Sequence, residues 1–178
     1  MKFYYWIILA VLLIAISIAI YFFVVKSKKT KMKNDILRLF STACKNKNIT
    51  EYTLQFLKKD HYDIYFESDK SIYYAKIIVN PGCHEICVNN AIKWQIRRLN
   101  DNQEHLNFVE NIESLMRLDL QNNAKKEYKL FIVYPNARAL LKVINECEMV
   151  FVYPDTNVYG ASLVTYRNLE EHLELLDV

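Results

Sequence analysis

The polar and apolar positions divide this chain into two parts. Phe3–Val25 is a run of 23 residues without a charge, FYYWIILAVLLIAISIAIYFFVV, in which Ser17 is the one aliphatic hydroxyl. At about 1.5 Å per residue, a helix of that length reaches roughly 35 Å, enough for a hydrocarbon core of about 30 Å with some tilt. Beyond it the periods shorten. Ile36, Leu37, Phe40 and Cys44 share a face at helical spacing, and Asn34 or Asp35 suits an N-cap, so a helix is predicted to about Lys45. TLQFLK (53–58), HYDIYFE (61–67) and SIYYAKIIV (71–79) read as three strands joined by tight hairpins.

NPGCHEIC (80–87) reads as a loop marked by Pro81 and Gly82. Two helices are expected over about 89–100 and 103–122, from Ile92, Ile96 and Leu99, then Leu106, Val109, Ile112, Leu115 and Met116. KLFIVY (129–134) is a continuous apolar run and predicts a central strand buried on both faces. A helix from Asn136 to about Glu146, a buried strand EMVFVY (148–153) and a short strand ASLVTY (161–166) follow. Asn168 with Glu171 resembles a capping box for a last helix to Leu176. An antiparallel meander feeding a strand–helix–strand crossover predicts an α/β (α+β) domain, with a mixed sheet and helices on its faces. The organisation expected is an anchor at 1–25, a basic juxtamembrane segment at 26–33 and one domain at 34–178.

The apolar run is too long for a cleaved signal peptide and leaves through Tyr21-Phe22-Phe23, not through a small-residue cleavage site. Trp6 and Tyr21 stand where an aromatic ring meets the membrane interface. Lys26, Lys28, Lys29, Lys31 and Lys33 follow the run, whereas only Lys2 precedes it. The positive-inside rule therefore predicts a single-pass protein of the cell membrane, N-terminus outside and C-terminal domain cytoplasmic. Lys26, Lys28 and Lys29 also lie where anionic headgroups attract them.

Charge changes the picture of partners. Those five lysines and Lys2 take six of the 23 Lys and Arg, leaving 17 against all 20 Asp and Glu, so the rest of the chain carries a formal −3. That balance does not indicate a nucleic-acid partner, whose domains are usually basic. With two Gly and three Pro in the whole chain, no segment reads as a flexible linker. Cys44, Cys83, Cys87 and Cys147 are scattered and are expected to be reduced thiols in the cytosol.

The element order resembles the restriction-endonuclease-like fold, and within it the nuclease-related (NERD-type) branch. The residues that carry the likeness are Asp63 in HYDIYFE, the hairpin into SIYYAKIIV, the Gly82 loop, Trp94-Gln95 and KLFIVYP, over about residues 34–176. The resemblance implies an Asp on one strand and E-x-K on the next, where i and i+2 share a face. In such a site the carboxylates hold Mg²⁺ while metal and lysine stabilise developing charge and activate water. Asp63 and Lys76 fall on this pattern as candidate catalytic residues, but Tyr74 stands in place of the acid. A phenol with a pKa near 10 is a poor Mg²⁺ ligand. Glu67, Glu85, Glu110 and Glu113 are the acids considered as substitutes.

The function expected from this departure is a non-catalytic interaction module, held at the membrane on a degenerate nuclease-like scaffold, with a protein partner. One alternative is a membrane-tethered nuclease, which alone calls for a cofactor, Mg²⁺. Another is an accessory subunit of a membrane complex, docking through helix 103–122. Cys83-His84-x-x-Cys87 lacks the second ligand pair that zinc sites use, so no metal site is assigned. Cys83, His84 and Asn89 form no pattern for an activated thiolate. Trp94, Arg97 and Arg98, beside Lys93, form an aromatic–basic cluster that could meet a phosphate backbone or a protein partner, but is read as a solvated helix face with Trp94 and Ile96 dipping toward the core.

Overall fold

A computed structural model describes residues 2–57, 61–98, 107–120 and 124–175 of the chain. The chain forms two compact units, residues 1–35 and 36–178. One helix, α1 (Lys2–Asn46), runs through the first and into the second. It is long and apolar enough to cross a membrane, and no part of its most apolar stretch is buried in protein. Ser17 donates to Leu13 O at 2.8 Å, so its hydroxyl is satisfied within the helix. Trp6 and Tyr21 are exposed, as are Lys26, Lys28 and Lys29. Asn34 and Asp35 lie inside α1 and cap nothing, because the backbone stays helical through the lysine segment. The apolar face predicted after them is present: Ile36, Phe40, Ala43 and Cys44 are buried.

The second unit is built on two mixed sheets. The larger has the order β1-β2-β3-β7-β11-β10, formed by β1 (Thr53–Phe56), β2 (Ile64–Glu67), β3 (Ser71–Asn80), β7 (Lys126–Pro135), β11 (Ala161–Thr165) and β10 (Asn157–Val158). The smaller has the order β6-β5-β4-β8-β9, formed by β6 (Asn107–Phe108), β5 (Trp94–Arg97), β4 (Glu85–Val88), β8 (Leu140–Asn145) and β9 (Glu148–Phe151). β3 and β7 run parallel over ten residues, and β7 carries four consecutive buried residues, Leu130 to Val133. This is the central strand the apolar run predicted.

Alternation assigns the faces. On β2, Ile64 and Phe66 are buried on one face of the larger sheet, where Phe40 of α1 meets Phe66 with ring centroids 5.4 Å apart. On the other face Ile78, Phe131 and Val133 pack with Ile86, Val88, Trp94 and Leu140 of the smaller sheet and with Ile112 and Leu115 of α2 (Ile112–Met116). Trp94 is fully buried, 4.5 Å from the Phe131 ring. A short 3-10 turn, Tyr166–Asn168, leads into α3 (Leu169–Leu175), which buries Leu169 and Leu173.

Several expected helices are strands. The stretch 89–100 holds β5, and 103–122 holds β6 and the five-residue α2; Leu99 and Leu106 lie outside the described residues. Trp94 and Arg97 therefore belong to a strand instead of a helix, and Trp94 turns to the core as expected. The docking helix proposed over 103–122 is absent among the described residues. The stretch 136–146 is β8, so the β7–β11 crossover runs through a hairpin instead of a helix. β9 is an exposed edge strand where a buried one was expected. Part of the loop at 80–87 is β4. Asn168 ends the 3-10 turn and is not an N-cap.

Asn80 anchors the remaining loop. It is buried, accepts His84 N–H at 3.1 Å, and donates to His84 O at 2.8 Å and Asn136 O at 3.0 Å. It thereby ties the turn after β3 to the turn after β7.

Candidate functional site

Asp63 and Lys76 are brought together by strand register. Ile64 and Ala75 form the last rung of the β2–β3 ladder, and Asp63 and Lys76 are the next residues on the two chains. The chain bends at Asp63, before β2 begins. Its N–H still donates to Ala75 O at 2.8 Å, and its carbonyl accepts Leu57 N–H at 2.7 Å. Beyond that point the ladder lacks a carbonyl for Ile77, and Asp63 Oδ2 takes its place, accepting Ile77 N–H at 2.8 Å. One carboxylate oxygen is thus committed to the sheet.

Both residues line an open cleft of about 760 Å³. Its floor is β3 from Lys76 to Val79, where that strand runs on past the start of β2, together with Asp63. Its opposite wall is Phe108 of β6 and the turn Glu110-Asn111 leading to Ser114 of α2. His61 Nδ1 lies 3.1 Å from Ser114 O, joining the two walls. Asn111 takes a left-handed conformation, φ 61°, which asparagine tolerates better than most residues.

Of the four substitute acids, the cleft receives Glu110 alone among its lining residues. Glu67 shares the Asp63 face, but its carboxylate accepts from Lys125 Nζ at 2.7 Å and Tyr65 OH at 2.6 Å. The Lys125 hydrogen bond, and then that of Tyr65, hold Glu67 below the usual carboxylate range. Glu85 lies on β4 next to Ile86 and therefore on the opposite face from the core. Glu113 pairs with Arg117. Glu110, one of the candidates from the sequence, comes from a turn before α2 and not from the helix that Val109 and Ile112 suggest by their spacing.

Tyr74, in the acid's position, points into a tyrosine cluster with Tyr62 and Tyr65, at ring centroids of 5.1 and 5.7 Å. Its hydroxyl donates to Glu127 Oε1 at 2.9 Å. Burial, and then the Glu127 hydrogen bond, push its pKa well above the ordinary phenol value. Tyr65 is pushed up to about 12 by burial and by Glu67. Both are neutral phenols at physiological pH, so neither offers the phenolate a cation would need. On the neighbouring strand Lys129 Nζ donates to Met116 O at 2.6 Å, and burial lowers its pKa.

The other candidates separate. Cys83 is on the exposed turn at φ 49°, while Cys87 is buried in β4, its thiol pushed up by burial. Among the described residues no group of three His, Cys, Asp or Glu side chains is placed to hold a metal ion. No protein-family model, curated protein or solved structure matches the chain.

Proposed function

We propose that this is a single-pass membrane protein whose larger unit is a non-catalytic interaction module at the cytosolic face. Its scaffold is similar to restriction-endonuclease-like, NERD-type domains. The observation that carries this reading is Tyr74. The position that resemblance assigns to a metal-binding acid holds a neutral phenol already donating to Glu127. The chain's residues do not fit a conventional Mg²⁺ site, since a neutral phenol stands where the second carboxylate is expected and Asp63, with Oδ2 accepting Ile77 N–H, offers a cation Oδ1. The lysines after the apolar run support the orientation with the N-terminus outside.

A second reading, the Mg²⁺-dependent nuclease, is favoured by one observation: Glu110 lines the same cleft as Asp63 and Lys76. One experiment separates the two. The full chain is incubated with single- and double-stranded DNA and RNA in Mg²⁺ or Mn²⁺, beside Asp63→Asn, Lys76→Met and Glu110→Gln. The interaction module predicts no cleavage by any of them. Cleavage abolished by all three substitutions overturns it in favour of the nuclease.

A further inference from the structure

β9 is the outer edge of the smaller sheet, and all four of its residues are exposed. Met149 is 50% and Phe151 60% exposed, with Ile144 and Tyr153 beside them at 52% and 62%. Sheet edges of this kind are usually blunted by lysine, proline or cover. Glu148 is the one charge in β9 itself.

The hydrogen bonding defines what the edge offers. Val152 N–H donates to Leu140 O at 2.8 Å, toward β8. Backbone direction alternates along a strand, so Val150 also turns inward while Met149 and Phe151 turn their N–H and C=O outward. The next outward N–H, that of Tyr153, donates to Thr156 Oγ1 at 3.0 Å and closes the edge there. Two residues, spaced i and i+2, are left to pair.

We infer that this edge pairs with a second copy of the chain, β9 against β9, antiparallel about a two-fold axis at Val150. That register sets Met149 of one copy against Phe151 of the other, and the reverse. Both outward-turned residues of each copy are used in hydrogen-bonded rungs. Glu148 falls opposite Val152, so the acidic residues of the two strands do not face each other. A peptide ligand would use the same edge; the placement of Glu148 opposite an apolar residue and away from its own counterpart favours a copy.

The contact is small. With aromatics offering about 150–250 Å² each, the half-exposed side chains here supply on the order of 400 Å² per copy. A standard interface buries about 800 Å² per partner. The pairing therefore draws on confinement to one membrane, which raises the effective concentration of anchored copies. In this respect it rests on the anchor proposed above.

The test uses the full chain with Cys83→Ser and Cys147→Ser, reconstituted in phosphatidylcholine vesicles and recovered by flotation. Cysteine is placed at Val150, on the axis, or at Asp69, in the exposed β2–β3 turn, and the vesicles are mildly oxidised. Directly opposed residues of a non-hydrogen-bonded pair have Cβ atoms about 4.5–5.5 Å apart, close to disulfide range. Val150→Cys should give a disulfide dimer and Asp69→Cys none above background. Adding Met149→Lys or Phe151→Lys should abolish the Val150→Cys dimer. Equal yields at the two positions, or a Val150→Cys dimer that survives both lysines, overturns the inference. Failure of the anchor shows separately, as loss of flotation.

Discussion

Asp63 offers a sharp measurement, because the fold and the cleft make different demands on it. Its Oδ2 replaces a missing ladder carbonyl for Ile77 N–H at 2.8 Å, in a half-buried site. Asp63→Ala leaves that donor without its acceptor. Stranding a buried group costs about 1–3 kcal/mol, and a half-buried one belongs near the middle, at about 2 kcal/mol. Asp63→Asn keeps an acceptor oxygen and loses only the charge assistance, on the order of 0.5–1 kcal/mol. At about 2–4 °C per kcal/mol for a domain of this size, Ala should lower Tm by roughly 4–8 °C and Asn by no more than about half of that. Thermal unfolding followed by circular dichroism at one pH reads both. Equal losses for Ala and Asn, or an unchanged Tm for Ala, would refute the account of Asp63 as a strand-end acceptor. A rise in Tm for Asn would show that the carboxylate is held against the fold's interest, as sites kept for a ligand are.

Three further outcomes follow from the packing. Asn80→Ala strands His84 N–H and two carbonyls in a buried site, and should cost on the order of 3 kcal/mol in urea unfolding. Trp94→Ala removes the largest fully buried side chain between the two sheets, and should cost about 3–5 kcal/mol. His172 is buried, with Nδ1 2.6 Å from Pro154 O, so Nδ1 donates, and Nε2 has no hydrogen-bond partner among the described residues. Burial lowers its pKa below the unfolded value of about 6.5, so its contribution is complete above that pH and is lost as pH falls through the folded value. Unfolding free energy measured from pH 7 to pH 5 should therefore decline more steeply for the native chain than for His172→Gln.

The parts of the fold legible in the sequence are those where one pattern dominates. The uncharged run of α1, the alternation in β2 and the unbroken KLFIVY strand each admit one interpretation, and the structure agrees. The stretch from 89 to 122 admitted two. Ile92, Ile96, Val109 and Ile112 fit a helical period, yet Trp94 and Ile96 also fit a strand turned toward a core. Tertiary packing decides between such patterns: Trp94 goes against Phe131, and a strand beside β4 puts it there. The same holds for 136–146, where Leu140 and Lys142 pair with Ile86 and Val88 across a parallel ladder far apart in sequence. The cleft was legible only as far as its floor. Asp63 and Lys76 come from adjacent strands, and their pairing follows from a short hairpin. Glu110 reaches the same space through the smaller sheet, whose existence no local period announced.

The polar end of the face that carries Ile78, Phe131 and Val133 sharpens the choice between the two functions. Going along it toward the cleft, Glu67 is bound by Lys125 and Tyr65, and Glu127 by Tyr74. These acids are spent on the protein's own phenols and ammonium groups, and their partners are held neutral or paired in return. A hard cation needs several ionised or carbonyl oxygens turned toward one point in open space. On this sheet that supply ends at Tyr74. The cleft itself is lined by Lys76, by Asp63 with Oδ2 accepting Ile77 N–H, and by an exposed Glu110 on a turn. One ammonium and two carboxylates set around an open volume suit polar contacts to a ligand or partner that brings both signs of charge. A metal held here would have to take Asp63 through Oδ1, since Oδ2 accepts Ile77 N–H, and the Ala and Asn variants measure how much the fold draws on that bond.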